Sequence, residues 1–406
     1  MTPQPGKIKD ARRSLAMLGG LCLFLSAIEY LIPKPLPFMR IGLANLPLLL
    51  ALNLLGPKDF FLLVTIKILG QGIISGTLFS YVFLFSVAGT LSSAALMYVL
   101  RRLAGERYLG YAGIGCAGAM TSNAVQLVLA RYCIFGPALR YMIPPFLVSG
   151  FASGIILGLL CEYFCRRSRW YAFIQSGDSS ALSSKNSGQA PQNGVTATLP
   201  SSAFSRFNAE ELFVTGLLMA LIFIFSRSLP LRTVQLLFFY LLARLSGKKI
   251  NLLITLIIMA GIVFFNLLSP YGKILFSIGP LHITQGALLG GLDKAINLEG
   301  LLILSRACIR SDLGLPGTIG SLLGESLRMT ELMREKKHLI RRGHISEGID
   351  QLLLETEMAD AAIKAPKETI RSVKNYILLC IMVLLTAAIG FLPEIRCLHG
   401  IILPLK

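Results

Sequence analysis

From residue 14 to residue 165 the chain is a near-continuous series of apolar runs, and that series leaves few folds open. The runs fall at 14–33, 41–57, 60–77, 79–100, 111–135 and 142–165, most of them close to the ~20 residues a helix needs to cross a bilayer. The breaks are short and made of Pro, Gly or charge, as at Gly56-Pro57-Lys58-Asp59 and Gly136-Pro137. Lipid offers the backbone no hydrogen bonds, so an apolar run of this length must be helical. Composition agrees: 54% of the residues are hydrophobic and 15% charged, against roughly a quarter charged in soluble domains. The chain reads as an all-α integral membrane protein.

The formal net charge is +18, from 39 Lys and Arg against 21 Asp and Glu. The basic residues cluster at the ends of apolar runs, as the positive-inside rule expects, which argues for a lipid bilayer and against nucleic acid as the partner. With the N-terminus in the cytoplasm, eleven Lys and Arg of the first six runs fall in inside loops. Four (Lys34, Arg40, Arg131 and Arg140) fall outside. This predicts a multi-pass protein of the cytoplasmic (inner) membrane. The first run continues into Pro33-Lys34-Pro35 without a small-residue cleavage site, and is expected to stay as a membrane helix. Eight cysteines form no CxxC pair and four histidines are scattered, so no metal site is expected.

Residues 168–208 are rich in Ser, Gly, Asn and Gln and lack apolar periodicity, which predicts a flexible cytoplasmic linker between domains at 1–167 and 209–406. Further apolar runs follow at 210–229, 233–246, 250–268, 281–310 and 371–393. The run at 233–246 is short and reads as an elbow or a re-entrant piece. The run at 281–310 carries Asp293, Lys294, Asn297 and Glu299. Across 311–365, Leu322, Leu323, Leu327, Met329, Leu332 and Met333 recur at helical spacing among charged residues. That pattern predicts amphipathic cytoplasmic helices lying on the membrane or against a partner.

The polar minority of the first domain suggests a site. Lys67 and Gln71 are four residues apart and share a helix face, Asn123 and Gln126 share another, Asn45 opens the second run, and Glu29 lies near the end of the first. Buried amides also hold membrane helices together, but an ammonium within an apolar run must snorkel, pair or line a cavity. These six residues are the candidate lining of a solute pocket, with Glu29 and Lys67 supplying charge and the amides hydrogen bonds. Signatures of catalysis are missing: the sequence has no paired aspartates or DxxD, no GxSxG, no HExxH and no GxxxxGK[ST]. The expectation is a non-enzyme.

The stretch 41–80, with its Gly42-Leu43-Ala44-Asn45, the basic residue at 67, and the Asn-x-x-Gln at 123–126 resemble the Gx transporter family, also labelled heptaprenyl diphosphate synthase component I. That family is similar to the substrate-binding S components of energy-coupling-factor (ECF) transporters. The resemblance implies a six-helix S-component-like bundle with its solute site near the outer face. The second half, with its polar 286–309 helix and the amphipathic segment after it, more loosely resembles the T component of the same transporters, whose coupling helices dock on ATPase subunits through Ala-Arg motifs. The nearest counterparts are Arg334, Arg341 and Arg342, without the alanine. An S/T fusion resembles the membrane proteins found with Rnf-type redox complexes, proposed to move flavin outward. Flavin is thus implied as a transported substrate, not a resident cofactor. The partners implied are ECF-type ATPase subunits or a redox complex. Two other readings stay open: a membrane component of isoprenoid or quinone biosynthesis binding a prenyl diphosphate, and a structural subunit of a redox complex.

Overall fold

Two groups of apolar helices build the protein, and α12 and α13 pack on the first of them. The computed structural model describes residues 5–31, 42–176, 207–359 and 373–402, apart from 227, 249, 279–280, 311–312, 315–316 and 341–344. The first group holds α1 (Pro5–Leu31), α2 (Leu46–Leu54), α3 (Pro57–Ser75), α4 (Tyr81–Tyr108, broken at Gly105), α5 (Tyr111–Ala130) and α6 (Ile143–Arg167). Among the described residues, four helical segments are long and apolar enough to cross a membrane: Arg12–Tyr30, Tyr81–Gly105, Tyr111–Phe135 and Ile143–Arg167. The run expected at 41–57 gives a shorter helix than its length suggests. It is bounded by Gly42, whose φ is +86°, and by Gly56-Pro57, where proline is suited to begin the next helix.

Small residues set how closely these helices approach. A side chain at Gly158 would lie 2.4 Å from the Ala112 backbone, and one at Gly154 would lie 2.7 Å from the Cys116 backbone. The glycines let α5 and α6 touch along their backbones in antiparallel order. In α1 and α3, Gly19 lies near Ile66 and Gly70 near Leu23, so these two helices run parallel.

The second group contains α8 (Ala209–Phe225), α9 (Leu229–Leu245), α10 (Leu252–Leu267), α11 (Gln285–Cys308) and α14 (Val373–Ile402). The run read as an elbow at 233–246 belongs to one uninterrupted helix, α9. The run expected as a single segment from 281 begins instead with a strand. Here β1 (Ile274–Ile278) pairs antiparallel with β2 (Leu281–Thr284) before α11 starts. The residues are mostly β-branched or aromatic and flank Gly279-Pro280, a composition that favours strand over helix.

Against the first group pack α12 (Gly317–Glu335) and α13 (Ile345–Ala359), with a short helix, α7 (Arg169–Ser176). α7 occupies the start of the expected linker, and the fully buried Trp170 anchors it. Asp350 of α13 caps α7: its carboxylate accepts from the Arg169 and Trp170 N–H groups at 3.2 and 3.0 Å and from Ser168 Oγ. The apolar face of α12, expected to meet the membrane or a partner, meets this chain's own α1 and α3. Leu322, Leu323, Met329 and Met333 join one core with Leu15, Leu21, Phe60 and Ile66. Arg12 pairs with Glu325 at 2.8 Å and Arg13 with Glu357 at 2.7 Å.

The two groups meet end to flank. At one end of the first group, Val82, Phe85, Ala130, Phe135 and Met142 share a core with Ile258 and Ile262 at the middle of α10 and with Ala295, Leu298 and Leu302 at the middle of α11. At the same end, the Phe79 N–H donates to Ser305 Oγ at 3.4 Å, and the Phe79 ring lies 5.3 Å from that of Phe213. The end of one bundle rests on the side of the other, so the two lie crosswise.

Candidate functional site

Inside the first group, near the end that meets α11, a cavity of about 40 Å³ is lined by the polar side chains Glu29, Asn45, Gln71, Asn123 and Gln126. Five of the six residues expected from sequence therefore converge on one space. The sixth, Lys67, stands behind the lining and donates through Nζ to Asn45 Oδ1. All six are buried except Asn45, which is half-buried.

Each side chain is placed by its helix. Glu29 lies in the last turn of α1, and its Oε1 accepts from the Gly42 N–H at 3.2 Å. Gly42 adopts the left-handed conformation that glycine tolerates best. It turns the chain into a 3-10 turn at Leu43–Asn45, which delivers Asn45 to the cavity wall. Gln71 comes from α3, one turn after Lys67. Asn123 is fixed by donating to the Phe146 carbonyl of α6 at 2.8 Å, and Gln126 by donating to Ser122 Oγ at 2.8 Å. Gly150 leaves the room Asn123 occupies: a side chain there would lie 2.2 Å from its amide nitrogen.

The wall has more members than the sequence indicated. Thr90 of α4, Ser122 of α5 and Ser153 of α6 add hydroxyls, and Gly115 and Gly154 bring bare backbone to its surface. Ser122 had a visible signal in its neighbour Asn123; isolated Thr and Ser in apolar helices do not stand out. Gln71 Oε1 is buried with no hydrogen-bond partner among the described residues. Buried acceptors are nearly always satisfied, so this oxygen is an open position for a donor from water or a solute. A space of this volume holds a few waters, whereas pockets for drug-sized ligands run to roughly 300–1,000 Å³. A large solute would have to open the wall.

The three arginines expected to couple to partners are not brought to this cavity. Arg334 is exposed near the end of α12, 3.9 Å from Glu331; Arg341 and Arg342 lie outside the described residues. Lys34 and Arg40 do too.

Comparison with known proteins follows the same division of the chain. No curated protein and no solved structure matches it. Residues 212–311 match a domain of unknown function (DUF8519), and residues 18–164, which contain the whole cavity, match the family described as heptaprenyl diphosphate synthase component I.

Proposed function

We propose that this chain is a membrane transport protein whose first helical group binds a small solute in the Glu29–Asn45–Gln71–Asn123–Gln126 cavity and whose second group moves it. The observation that carries this reading is convergence. Polar side chains from α1, the turn before α2, α3 and α5 meet around one space within an apolar bundle, and one of them holds an unused acceptor. A six-helix S-like unit joined to a T-like unit fits the crosswise packing, because the end that carries the cavity is turned toward the second group. Flavin is the first solute to test, on the resemblance. Its imide edge matches carboxamide walls, and its size requires the cavity to widen. The N-terminus would lie in the cytoplasm of an inner-membrane protein, with ATPase subunits or a redox complex as partners.

The family description favours one other reading, a helper that binds a prenyl diphosphate. The charges oppose it. A diphosphate needs several cations at one place, and the cavity has a carboxylate and, behind it, a single ammonium. A larger groove of about 620 Å³ between α8 and α14 is apolar enough for a prenyl chain, but Glu210 and Glu211 line it, the wrong charge for a diphosphate.

Purification in mild detergent, followed by visible absorption and identification of small molecules released on denaturation, separates the readings. Bound flavin that is lost in Lys67→Ala and Gln71→Ala proteins of normal folding is the expected outcome. A released prenyl diphosphate, or flavin retained by both variants, would defeat the proposal.

A further inference from the structure

Glu299 takes no part in the cavity. It lies at the middle of α11 and is fully buried, with 0% of its surface exposed. Its Oε1 accepts from Thr255 Oγ1 of α10 at 2.9 Å. Its Oε2 is buried without a hydrogen-bond partner, and no ion pair reaches the carboxyl group among the described residues.

The surroundings are short of charge. On α11, Asp293 is engaged by Arg232 of α9 at 2.7 Å, and Lys294 donates to Asn266 of α10 at 3.0 Å. Asn297 reaches the Tyr81 hydroxyl of the first group at 3.4 Å. From α8 the neighbour is Phe223, packed on Gly300. One cation lies within electrostatic reach, Arg306, two turns along the same face of α11. Its guanidinium sits 5.6 Å from the centre of the Tyr30 ring, beside the cavity residue Glu29, and its Nε is buried without a hydrogen-bond partner.

An ionised carboxylate without a counter-ion is costly in such a seam, and an ionisable group within membrane helices marks function by default. A carboxylic acid carries no charge, and its carbonyl oxygen keeps the Thr255 hydrogen bond. We propose that Glu299 is a proton-binding site, and that loss of its proton to bulk water draws Arg306 from Tyr30 toward the new carboxylate. The side chain of Arg306 leans toward the N-terminus of its helix, in the direction of Glu299. Protonation in the α10–α11 seam is thereby linked to a contact between the two groups, one residue from the cavity wall. The link needs no particular solute, and its test uses none, so it stands or falls apart from the transport reading.

The test is infrared difference spectroscopy on the full-length protein in detergent. At neutral pH, wild type minus Glu299→Gln should show a carboxylic-acid carbonyl band present only in wild type. Thr255→Val should move that band to higher frequency, because the carbonyl loses its hydrogen bond. On alkaline titration Arg306→Gln should hold the band to higher pH, because the cation that favours the carboxylate is gone. A wild-type protein without the acid band, or a band indifferent to Arg306→Gln, overturns the proposal. Should Glu299→Gln fail to fold, Glu299→Asp supplies the same comparison through a displaced band.

Discussion

Gly20→Ala tests the contact that seats α12 on α1. An added Cβ would lie 2.6 Å from Met329 Cβ, 3.2 Å from the Ser326 carbonyl oxygen and 3.4 Å from the Thr330 nitrogen. None of these atoms can rotate away, because all belong to the α12 backbone or hang directly from it. Relief requires α12 to withdraw by about 1 Å, and overpacking of that kind costs about 1–3 kcal/mol. Withdrawal also weakens the bond from Thr330 Oγ1 to the Gly20 carbonyl, now 3.1 Å, although Thr330 keeps its 2.7 Å bond to Ser326. That adds about 1 kcal/mol at most. A total of about 1–4 kcal/mol, at 1.36 kcal/mol per factor of ten, makes local opening of α12 about 5-fold to nearly 1,000-fold more frequent. Amide hydrogen exchange reads this opening directly. The matched control is Gly324→Ala on α12 itself, where nothing lies within 4 Å of the added atom. Replacing a mid-helix glycine in open space should stabilise α12 by about 1 kcal/mol and slow its exchange. Unchanged α12 exchange in Gly20→Ala, or equal effects of the two substitutions, would refute the packing argument.

Three further outcomes follow from named contacts. Trp170→Ala empties a fully buried site and should cost about 3–5 kcal/mol, seen as early proteolysis between α6 and α8. Asp350→Ala removes the acceptor for two α7 N–H groups and should cost about 1–2 kcal/mol, with faster exchange confined to α7 and α13; protection unchanged there would dismiss the cap. Cysteines at positions 19 and 326 should form a disulfide on mild oxidation, because a Cβ at 19 would lie 3.1 Å from Ser326 Cβ, within a few tenths of an ångström of disulfide geometry. Failure to cross-link would place α12 elsewhere.

The cavity was legible because charge and amide side chains are rare in apolar helices, and their i, i+3 and i, i+4 spacings assign them to faces. Lys67, Gln71, Asn123 and Gln126 each carried that signal. What the sequence could not rank was distance: Lys67, the most conspicuous of the six, sits one residue behind the wall, and which residue intervenes is decided by the Gly42 turn. The hairpin at 274–284 was lost because its strands abut a long apolar helix without a polar break. The amphipathic pattern of α12 showed that an apolar face needed cover; periodicity names no partner, and the partner proved to be α1, through glycines at 19 and 20 that a pattern reading takes as filler.

The relation between the two groups was beyond the reach of the charge count, yet the count helps to define it. In the topology proposed from the loop charges the starts of α1, α3 and α8 lie on one side, and the α3–α4 corner at residues 76–80 on the other. α3 has 19 residues and so rises about 28 Å from its start to that corner. Phe213 lies only four residues into α8, about 6 Å from its start. In two upright bundles these levels differ by about 20 Å. The Phe79 and Phe213 rings nonetheless lie 5.3 Å apart, and Gly216 of α8 would meet Phe79 at 2.8 Å if it bore a side chain. A bend within α3 could not close that gap, because Phe135 at the same end touches Phe265 at the far end of α10, their rings 6.1 Å apart. The end of the first group therefore spans the second from one level to another, as a bundle laid on its side does.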